Sequence, residues 1–343
     1  MLTLSETPQV VVAPSLIDQY QRTISYLRIS ITDRCNLRCV YCMPEEGLDW
    51  TPSGEILTYG EIARIVTVAA RRGLKKVRVT GGEPLVRHGV PDLINILTRI
   101  TGIEEITLTT NGVFLKALAE DLYRAGLKRI NISLDSLDPK AYAKIVRRDI
   151  FYRVWEGIEA SERVGFSPIK INVVLQQGVN DHEVADFVRL TQKKPYHVRF
   201  IEYMPCAHWE TWVKTYKPFL PVIAEIEGQF GRLIPLSHAY DPHAGPAENF
   251  KIPGGMGVVG FIHAMSHDFC DTCNRVRLTA DGKIRPCLYS DIAVDFREAM
   301  RNDGSDDVIN ALLDQVLYVK PEYHELDMLP KEKKLVTMVN IGG

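Results

Sequence analysis

Six of the seven cysteines in this 343-residue chain fall into two groups of three. The first group has the spacing Cys-x3-Cys-x2-Cys and consists of Cys35, Cys39 and Cys42. The second group consists of Cys270, Cys273 and Cys287. A four-iron, four-sulfur cluster normally has four thiolate ligands, so three thiolates leave one iron open to a small molecule. The pattern therefore predicts two clusters, one for a cofactor and one for a substrate.

Structural zinc is the alternative interpretation of these cysteines. Zinc sites of this kind have four protein ligands, and the first group has no fourth cysteine or histidine nearby. His263 and His267 lie just upstream of the second group, so a site of three cysteines and one histidine stays open there. The seventh cysteine, Cys206, is interpreted as a small buried or semi-buried side chain without a role.

Length and composition indicate a folded enzyme-sized chain rather than a membrane or nucleic-acid protein. Hydrophobic residues make up 45% of the chain, which is enough for a sizeable core. The net charge of −2 gives no general attraction to nucleic acid or anionic membranes, so any anion must be bound by cations gathered locally. Neither a signal peptide nor a membrane span is recognisable, and we expect a cytoplasmic protein.

From Ser25, apolar strand patterns alternate with helix patterns, which predicts parallel βαβ units. Thr58 and Glu61 form a capping box at the start of the first predicted helix. The six predicted strands cover 26–32, 76–82, 105–112, 129–136, 170–178 and 197–205. Six strands are fewer than the eight of a closed TIM barrel, so the predicted fold is α/β, an incomplete, three-quarter parallel barrel.

Three regions are predicted along the chain. Residues 1–24 form a loose N-terminal arm, and residues 25–214 form the partial barrel. Residues 215–343 form a C-terminal lobe that carries the second cysteine group and ends in Gly-Gly. In this lobe no long helical pattern is obvious, and Asp281-Gly282 predicts a hairpin turn.

The predicted strands contain cations and end in residues that suit ligand binding. Parallel α/β proteins bind ligands at the carboxyl ends of their strands, and the second strand ends in Gly81-Gly82-Glu83-Pro84. Arg28, Arg78 and Arg199 alternate with apolar residues, so some of them should face the interior unless they pair with nearby acids. Together with Lys76, Lys170, Arg275 and Arg277 they predict a pocket for a polyanion such as a triphosphate.

The first cysteine group, with Tyr41 before its last member and Gly81-Gly82-Glu83-Pro84 one βα unit later, resembles the radical S-adenosylmethionine superfamily. The second group, with Asn274-Arg275-Val276-Arg277 and the terminal Gly342-Gly343, resembles the GTP 3′,8-cyclase family within it. The resemblance implies two [4Fe–4S] clusters and S-adenosylmethionine as cofactors. It also implies a lyase that converts GTP to (8S)-3′,8-cyclo-7,8-dihydroguanosine 5′-triphosphate, the first step of molybdenum cofactor biosynthesis.

The same resemblance implies a role for each matching residue. The cluster ligands would be Cys35, Cys39, Cys42, Cys270, Cys273 and Cys287. The contacts to S-adenosylmethionine would be Tyr41, Gly82, Ser133 and Met204. The contacts to GTP would be Arg28, Arg78, Thr109, Lys170, Arg275 and Arg277, with Lys76 and Arg199 as further candidates. Catalysis would be assisted by Arg28, Arg275, Arg277, Gly342 and Gly343.

The resemblance further implies an electron donor such as flavodoxin or ferredoxin. It implies product transfer to cyclic pyranopterin monophosphate synthase, and it allows a homodimer. Two other classes compete with it. A peptide-modifying radical enzyme with a second cluster would not need the arginine-rich pocket, and a non-enzymatic zinc or iron–sulfur protein would not need Gly-Gly-Glu-Pro beside a three-cysteine loop.

Overall fold

The computed structural model describes residues 15–205, 209–237, 245–267, 269–302, 304–324 and 338–341, and in these residues twelve strands form one sheet. The strands are β1 Tyr26–Ser30, β2 Lys76–Thr80, β3 Glu105–Thr110, β4 Arg129–Ser133, β5 Ile169–Leu175, β6 His197–Glu202, β7 Ile234–Pro235, β8 Glu248–Lys251, β9 Val258–Ile262, β10 Arg275–Leu278, β11 Lys283–Arg285 and β12 Val294–Asp295. Their spatial order is β12-β11-β10-β1-β2-β3-β4-β5-β6-β9-β8-β7.

The predicted parallel α/β architecture is confirmed, but the parallel part of the sheet is larger than predicted. The six predicted strands are β1 to β6, and β10 pairs in parallel with β1 while β9 pairs in parallel with β6. Within the described residues the parallel run therefore has eight strands, and antiparallel strands flank it at both edges. The two additional strands come from the C-terminal region.

The helices follow the apolar spacing of the sequence. They are α1 Tyr59–Arg71, α2 Val90–Thr98, α3 Leu115–Arg124, α4 Pro139–Val146, α5 Phe151–Val164, α6 Val184–Lys193, α7 Trp209–Thr215, α8 Phe219–Phe230, α9 Arg297–Arg301, α10 Asp306–Tyr318 and α11 Met338–Ile341. The capping box is confirmed, because Glu61 N–H donates to Thr58 Oγ1 (3.2 Å) and Thr58 N–H donates to Glu61 Oε2 (2.6 Å). Among the residues that the structure describes, no helix is long and apolar enough to cross a membrane.

The expectation that the C-terminal region lacks long helices is wrong. Helix α8 has 12 residues and α10 has 13. Both have an apolar stripe; that of α10 is buried and consists of Ile309, Leu313, Val316 and Leu317. The spacing i, i+4, i+7 and i+8 is helical, so the sequence contained this signal. The predicted hairpin is confirmed, because β10 and β11 are antiparallel and Gly282 has a φ of 90° at the turn.

The N-terminal arm is packed rather than loose over its described part, residues 15–24. Leu16 and Ile24 are buried in the core. Leu16 N–H donates to the Arg72 carbonyl oxygen (3.1 Å), and Ile17 forms a short bridge with Thr23. The burial of these two apolar side chains and the bridge between Ile17 and Thr23 together hold this short segment against the core. The boundaries at 24/25 and 214/215 stay predictions.

Candidate active site

The carboxyl ends of the parallel strands surround one cavity, and most of the predicted site residues line it. From the first cysteine group and the predicted cofactor contacts these are Cys35, Cys39, Cys42, Tyr41, Gly82, Ser133 and Met204. From the predicted anion-binding set they are Arg28, Arg78, Thr109, Arg199, Arg275 and Arg277. Parallel strands end at one edge of a sheet, so the fold brings together residues that are distant in sequence.

The first cysteine group lies in the loop that follows β1. This loop is anchored to its neighbours, because Val40 N–H donates to the Ile145 carbonyl oxygen (2.9 Å) and the Asn111 amide donates to Asn36 Oδ1 (2.8 Å). Burial raises the pKa of the Cys35 thiol to about 12. Metal binding at this loop must therefore displace protons from the thiols.

The Gly-Gly pair at the end of β2 packs directly on the backbone of the cysteine loop. A Cβ atom on Gly82 would lie 2.5 Å from the Arg34 carbonyl oxygen and 2.6 Å from that of Asp33. A Cβ atom on Gly81 would lie 2.6 Å from the Thr32 carbonyl oxygen. Gly82 N–H also donates to the Thr32 carbonyl oxygen (2.8 Å). Only residues without a side chain allow this close approach.

Glu83 connects the same turn to the end of β3. Its carboxylate is fully buried and accepts hydrogen bonds from the Thr110 hydroxyl (2.7 Å), Asn111 N–H (2.7 Å) and Leu85 N–H (3.0 Å). Its own N–H donates to the Arg34 carbonyl oxygen (2.8 Å). Burial raises the pKa of Glu83 to about 7. The Gly-Gly-Glu-Pro sequence thus fixes the cysteine loop relative to two strands.

A Gly82→Ala variant is expected to be less stable and to lose iron from the first cysteine group. The added methyl group must displace the carbonyls of Asp33 and Arg34, and overpacking of this kind costs about 1–3 kcal/mol. Thermal unfolding and the iron content of anaerobically reconstituted protein measure the effect. Gly54→Ala is the matched control, since a Cβ there meets no atom within 4 Å. Equal melting temperature and equal iron in both variants would contradict this view of the turn.

Tyr41 is oriented by an acid that the sequence analysis did not assign. Its hydroxyl donates to Asp135 Oδ2 (2.6 Å), while Asp135 Oδ1 accepts from Val174 N–H (2.8 Å). Burial raises the pKa of Asp135 to about 6. Ser133 at the end of β4 and Met204 after β6 line the cavity with Tyr41. The four predicted cofactor contacts, including the Gly82 backbone, therefore share one region.

Arginines from three neighbouring strands form a row on the cavity side of the sheet. Arg28 in β1 is in register with Arg277 in β10 and with Arg78 in β2. Side chains in register on adjacent strands point to the same face. The Arg78 guanidinium donates to the Thr107 hydroxyl (3.2 Å), which holds it across β3. The next row toward the amino ends consists of Arg275, Tyr26 and Lys76.

These cations raise the electrostatic potential of the cavity. Burial and the nearby charge of Arg277 hold the pKa of Arg28 well below its usual range, and burial together with Arg275 lowers the pKa of Arg277 to about 10. Burial raises the pKa of Tyr26, yet the charges of Arg78 and Arg28 outweigh it and the net pKa is lowered. Like charges held this close destabilise one another, and a bound polyanion would relieve that repulsion.

The second cysteine group lies beside the same cavity. Phe269 and Leu288, the chain neighbours of Cys270 and Cys287, are both lining residues. The Arg275 guanidinium lies over the Phe269 ring, 4.7 Å from its centroid. The two cysteine groups therefore flank the cavity, with the arginine row in the same wall.

The second group has a more positive environment than the first. Burial raises the pKa of the Cys273 thiol, but the charges of Arg275 and Lys320 outweigh burial and lower it to about 7. Positive neighbours stabilise the thiolate, which is the form that binds iron. At Cys35 the pKa is raised instead, because the thiol is buried and has no cationic neighbours of comparable effect.

The zinc alternative at the second group has no support from His263. Its Nδ1 atom lies 3.2 Å from Ser266 Oγ, and its Nε2 atom lies 3.5 Å from Glu248 Oε2. Both ring nitrogens thus face other side chains.

Glu202 at the end of β6 holds the loop that leads to the second group. It is fully buried, and its Oε2 atom accepts from the N–H groups of Met265 and Ser266, both at 2.8 Å. Its Oε1 atom accepts from the Tyr216 hydroxyl (3.2 Å). A carboxylate that accepts two backbone bonds fixes a loop firmly. Glu202 therefore links the barrel to the segment that begins the second group.

Two predicted cations lie outside the cavity lining. Lys76 Nζ is 3.0 Å from Glu105 Oε2, and both side chains are buried. Lys170 is buried in β5, two positions before Asn172, which lines the cavity. Gly342, Gly343 and Cys206 lie outside the described residues.

The residues that line the cavity without a predicted role include Tyr26, Asp135, Asn172 and Glu202. Asp135 and Glu202 stand at carboxyl ends of strands, and Tyr26 precedes Arg28 by one strand period. Their position along a strand was the signal in the sequence that could have identified them as lining residues. The signal is weak, because the same residue types are also common in turns and cores.

The residues present fit two iron–sulfur clusters. Each group provides three thiols, and thiolates are soft ligands that suit such clusters. The first group lies in a loop held against Gly81 and Gly82, and the second lies in a field that favours thiolates.

Comparison with known proteins agrees with this geometry. The family model "Radical SAM superfamily" matches residues 29–191, and "Molybdenum Cofactor Synthesis C" matches residues 196–326. GTP 3′,8-cyclases from Petrotoga mobilis and Thermodesulfovibrio yellowstonii are 48% and 46% identical. The alignments cover 96% and 95% of this chain, and 100% and 99% of the relatives. Streptococcus suis SuiB bound to its precursor peptide SuiA has a similar fold, with a TM-score of 0.62 at 14% identity over 93% of this chain and 76% of SuiB.

The fold is a parallel sheet, and a three-cysteine loop lies beside Gly-Gly-Glu-Pro at its strand ends. With the family match, these features identify the chain as a radical S-adenosylmethionine enzyme. Its C-terminal region carries the second cysteine group. The chain belongs to the GTP 3′,8-cyclase family.

Proposed function

We propose that this protein converts GTP to (8S)-3′,8-cyclo-7,8-dihydroguanosine 5′-triphosphate, the first step of molybdenum cofactor biosynthesis. One observation carries the proposal: the row of Arg277, Arg28 and Arg78 lines a cavity flanked by both cysteine groups. A triphosphate is the ligand class that such a row of guanidinium groups suits. The peptide-modifying alternative has no comparable need for this row, and the likeness to SuiB is one of fold.

The first cysteine group and the residues around it would bind the cofactors. When bound, a reduced [4Fe–4S] cluster and S-adenosylmethionine would supply the radical chemistry for removal of a hydrogen atom from the ribose. Cys35, Cys39 and Cys42 would hold the cluster, while Tyr41, Gly82, Ser133 and Met204 would contact S-adenosylmethionine. Asp135 fixes the Tyr41 hydroxyl, so the ring has one orientation toward the cavity.

The arginine row and the second cysteine group would orient the substrate. Arg28, Arg78, Arg275, Arg277 and Thr109 would bind GTP, and Cys270, Cys273 and Cys287 would hold a second cluster near the base. Lys170 would also bind GTP and Arg199 would add charge, whereas the charge of Lys76 is paired with Glu105. Ribose and purine belong to one molecule, so ring closure is intramolecular, and holding both in a fixed relative orientation would raise its rate. Apolar lining residues such as Leu37, Val174 and Ile262 would limit the access of water to the reacting atoms.

The test is GTP turnover by anaerobically reconstituted protein with S-adenosylmethionine and a reductant. We expect cyclised product with wild-type protein and a roughly ten- to hundredfold weaker affinity for GTP with Arg277→Ala. An Arg–phosphate contact is a charge-assisted hydrogen bond worth about 1.5–3 kcal/mol. Calorimetric titration of GTP measures the affinity.

Arg285→Ala is the matched control for Arg277→Ala. Arg285 faces Arg277 across the hairpin but is not among the residues that line the cavity. Its loss should leave GTP affinity unchanged. Equal affinities in both variants, or a wild-type protein that cleaves S-adenosylmethionine without consuming GTP, would refute the proposed substrate.

An electron donor such as flavodoxin or ferredoxin would supply electrons, and the product would pass to cyclic pyranopterin monophosphate synthase. The protein is expected to be cytoplasmic, and the family resemblance allows a homodimer. Residues 25–214 act as the radical barrel, and residues 215–343 act as the lobe that binds the second cluster and GTP.

A further inference from the structure

A buried lysine ties together two segments of the second cysteine group. Lys320, which follows α10, is only 3% exposed. Its Nζ atom donates to the carbonyl oxygens of Arg275 (2.9 Å) and Pro286 (2.8 Å), and it lies 3.5 Å from Cys273 Sγ. One ammonium thus contacts a cysteine sulfur and the backbone beside both Cys273 and Cys287.

The position of Lys320 is fixed by a second buried cation. The Arg22 guanidinium donates to the carbonyl oxygens of Glu322 (2.7 Å) and Cys270 (2.9 Å). Asp18 pairs with Arg22 at 2.7 Å, with both side chains buried. The N-terminal segment therefore holds the chain around Lys320 against the first cysteine of the group.

The partners of Lys320 indicate what balances its charge. Among the described residues, no carboxylate lies within ion-pair distance of its Nζ atom, and two of its three acceptors are neutral carbonyls. A buried ammonium is costly unless negative charge is close. The thiolates of the cysteine group, with Cys273 in contact, provide that charge.

We infer that Lys320 is a positioning residue that raises the reduction potential of the second cluster. Charge and hydrogen bonds to the ligating sulfurs are among the factors that set such potentials. Reduction adds a negative charge to the cluster, so a neighbouring ammonium stabilises the reduced form more than the oxidised form. The inference rests on the proposed function, because it requires a cluster on these three cysteines.

The test is a redox titration of the second cluster by electron paramagnetic resonance. The protein carries Cys35→Ser, Cys39→Ser and Cys42→Ser, so that only the second cluster is present. Lys320→Met removes the charge and the hydrogen bonds at similar volume, and it is expected to shift the midpoint potential to a more negative value. Lys320→Arg keeps the charge and should remain closer to the parent.

Lys283→Met is the matched control, since Lys283 lies on the hairpin of the second group and pairs with Asp281 at 2.7 Å. It should not move the potential. An unchanged potential in Lys320→Met at full iron content would overturn the inference.

If Lys320→Met binds no cluster, the midpoint potential of the second cluster in Lys320→Gln tests the inference instead. Gln keeps a hydrogen-bond donor but has no charge. Loss of the cluster in both variants would overturn the tuning role and make Lys320 a structural residue. Absence of iron at the second group of the parent protein would instead refute the proposed function together with this inference.

Discussion

A Cys39→Ser variant is expected to form no 5′-deoxyadenosine from S-adenosylmethionine. Three thiolates already leave one iron without a protein ligand, so the loss of one more leaves the first cluster with two soft ligands. The second group lies on other segments and should keep its iron, about four per chain against about eight in the wild type. Chromatographic measurement of 5′-deoxyadenosine with iron analysis checks both expectations.

Cys206→Ser is the matched control for this substitution. Cys206 is the one cysteine outside the two groups, and its replacement should leave cofactor cleavage and iron content at wild-type values. Wild-type release of 5′-deoxyadenosine by Cys39→Ser would show that the first group does not carry the radical chemistry.

Deletion of Gly342 and Gly343 is expected to reduce GTP cyclisation sharply while melting temperature and both clusters stay nearly unchanged. Met338 and Val339, shortly before these glycines, line the cavity, and Val339 is buried. We therefore propose that the tail enters the site, where a residue without a Cβ fits a narrow passage. Two terminal residues contribute little to the stability of the fold. Product formation under anaerobic single-turnover conditions measures the effect.

A variant with Ala-Ala in place of Gly342-Gly343 separates length from shape. If the passage is narrow, this variant should be impaired although the chain length is unchanged. A truncated protein that cyclises GTP as fast as the full chain would reduce the tail to an ordinary chain end.

The sequence by itself determined the chemistry of the site. The two cysteine groups, the Gly-Gly-Glu-Pro turn and the alternation of Arg28 and Arg78 with apolar residues depend on spacing within 20 residues or less, and local spacing is readable without a structure. The parallel strands β1 to β6 were predictable for the same reason, because each is followed by an amphipathic segment.

Only the tertiary structure decided how these parts meet. Strand β10 pairs with β1 although nearly the whole barrel separates them in sequence, and this pairing places Arg277 beside Arg28. The same holds for Lys320 at Cys273 and for Arg22 at Cys270. Lys76 is the converse case, since its spacing matches Arg78 but its charge is paired with Glu105. Periodicity gives the face that a side chain occupies, whereas its partners depend on which strands and segments become neighbours when the core is buried.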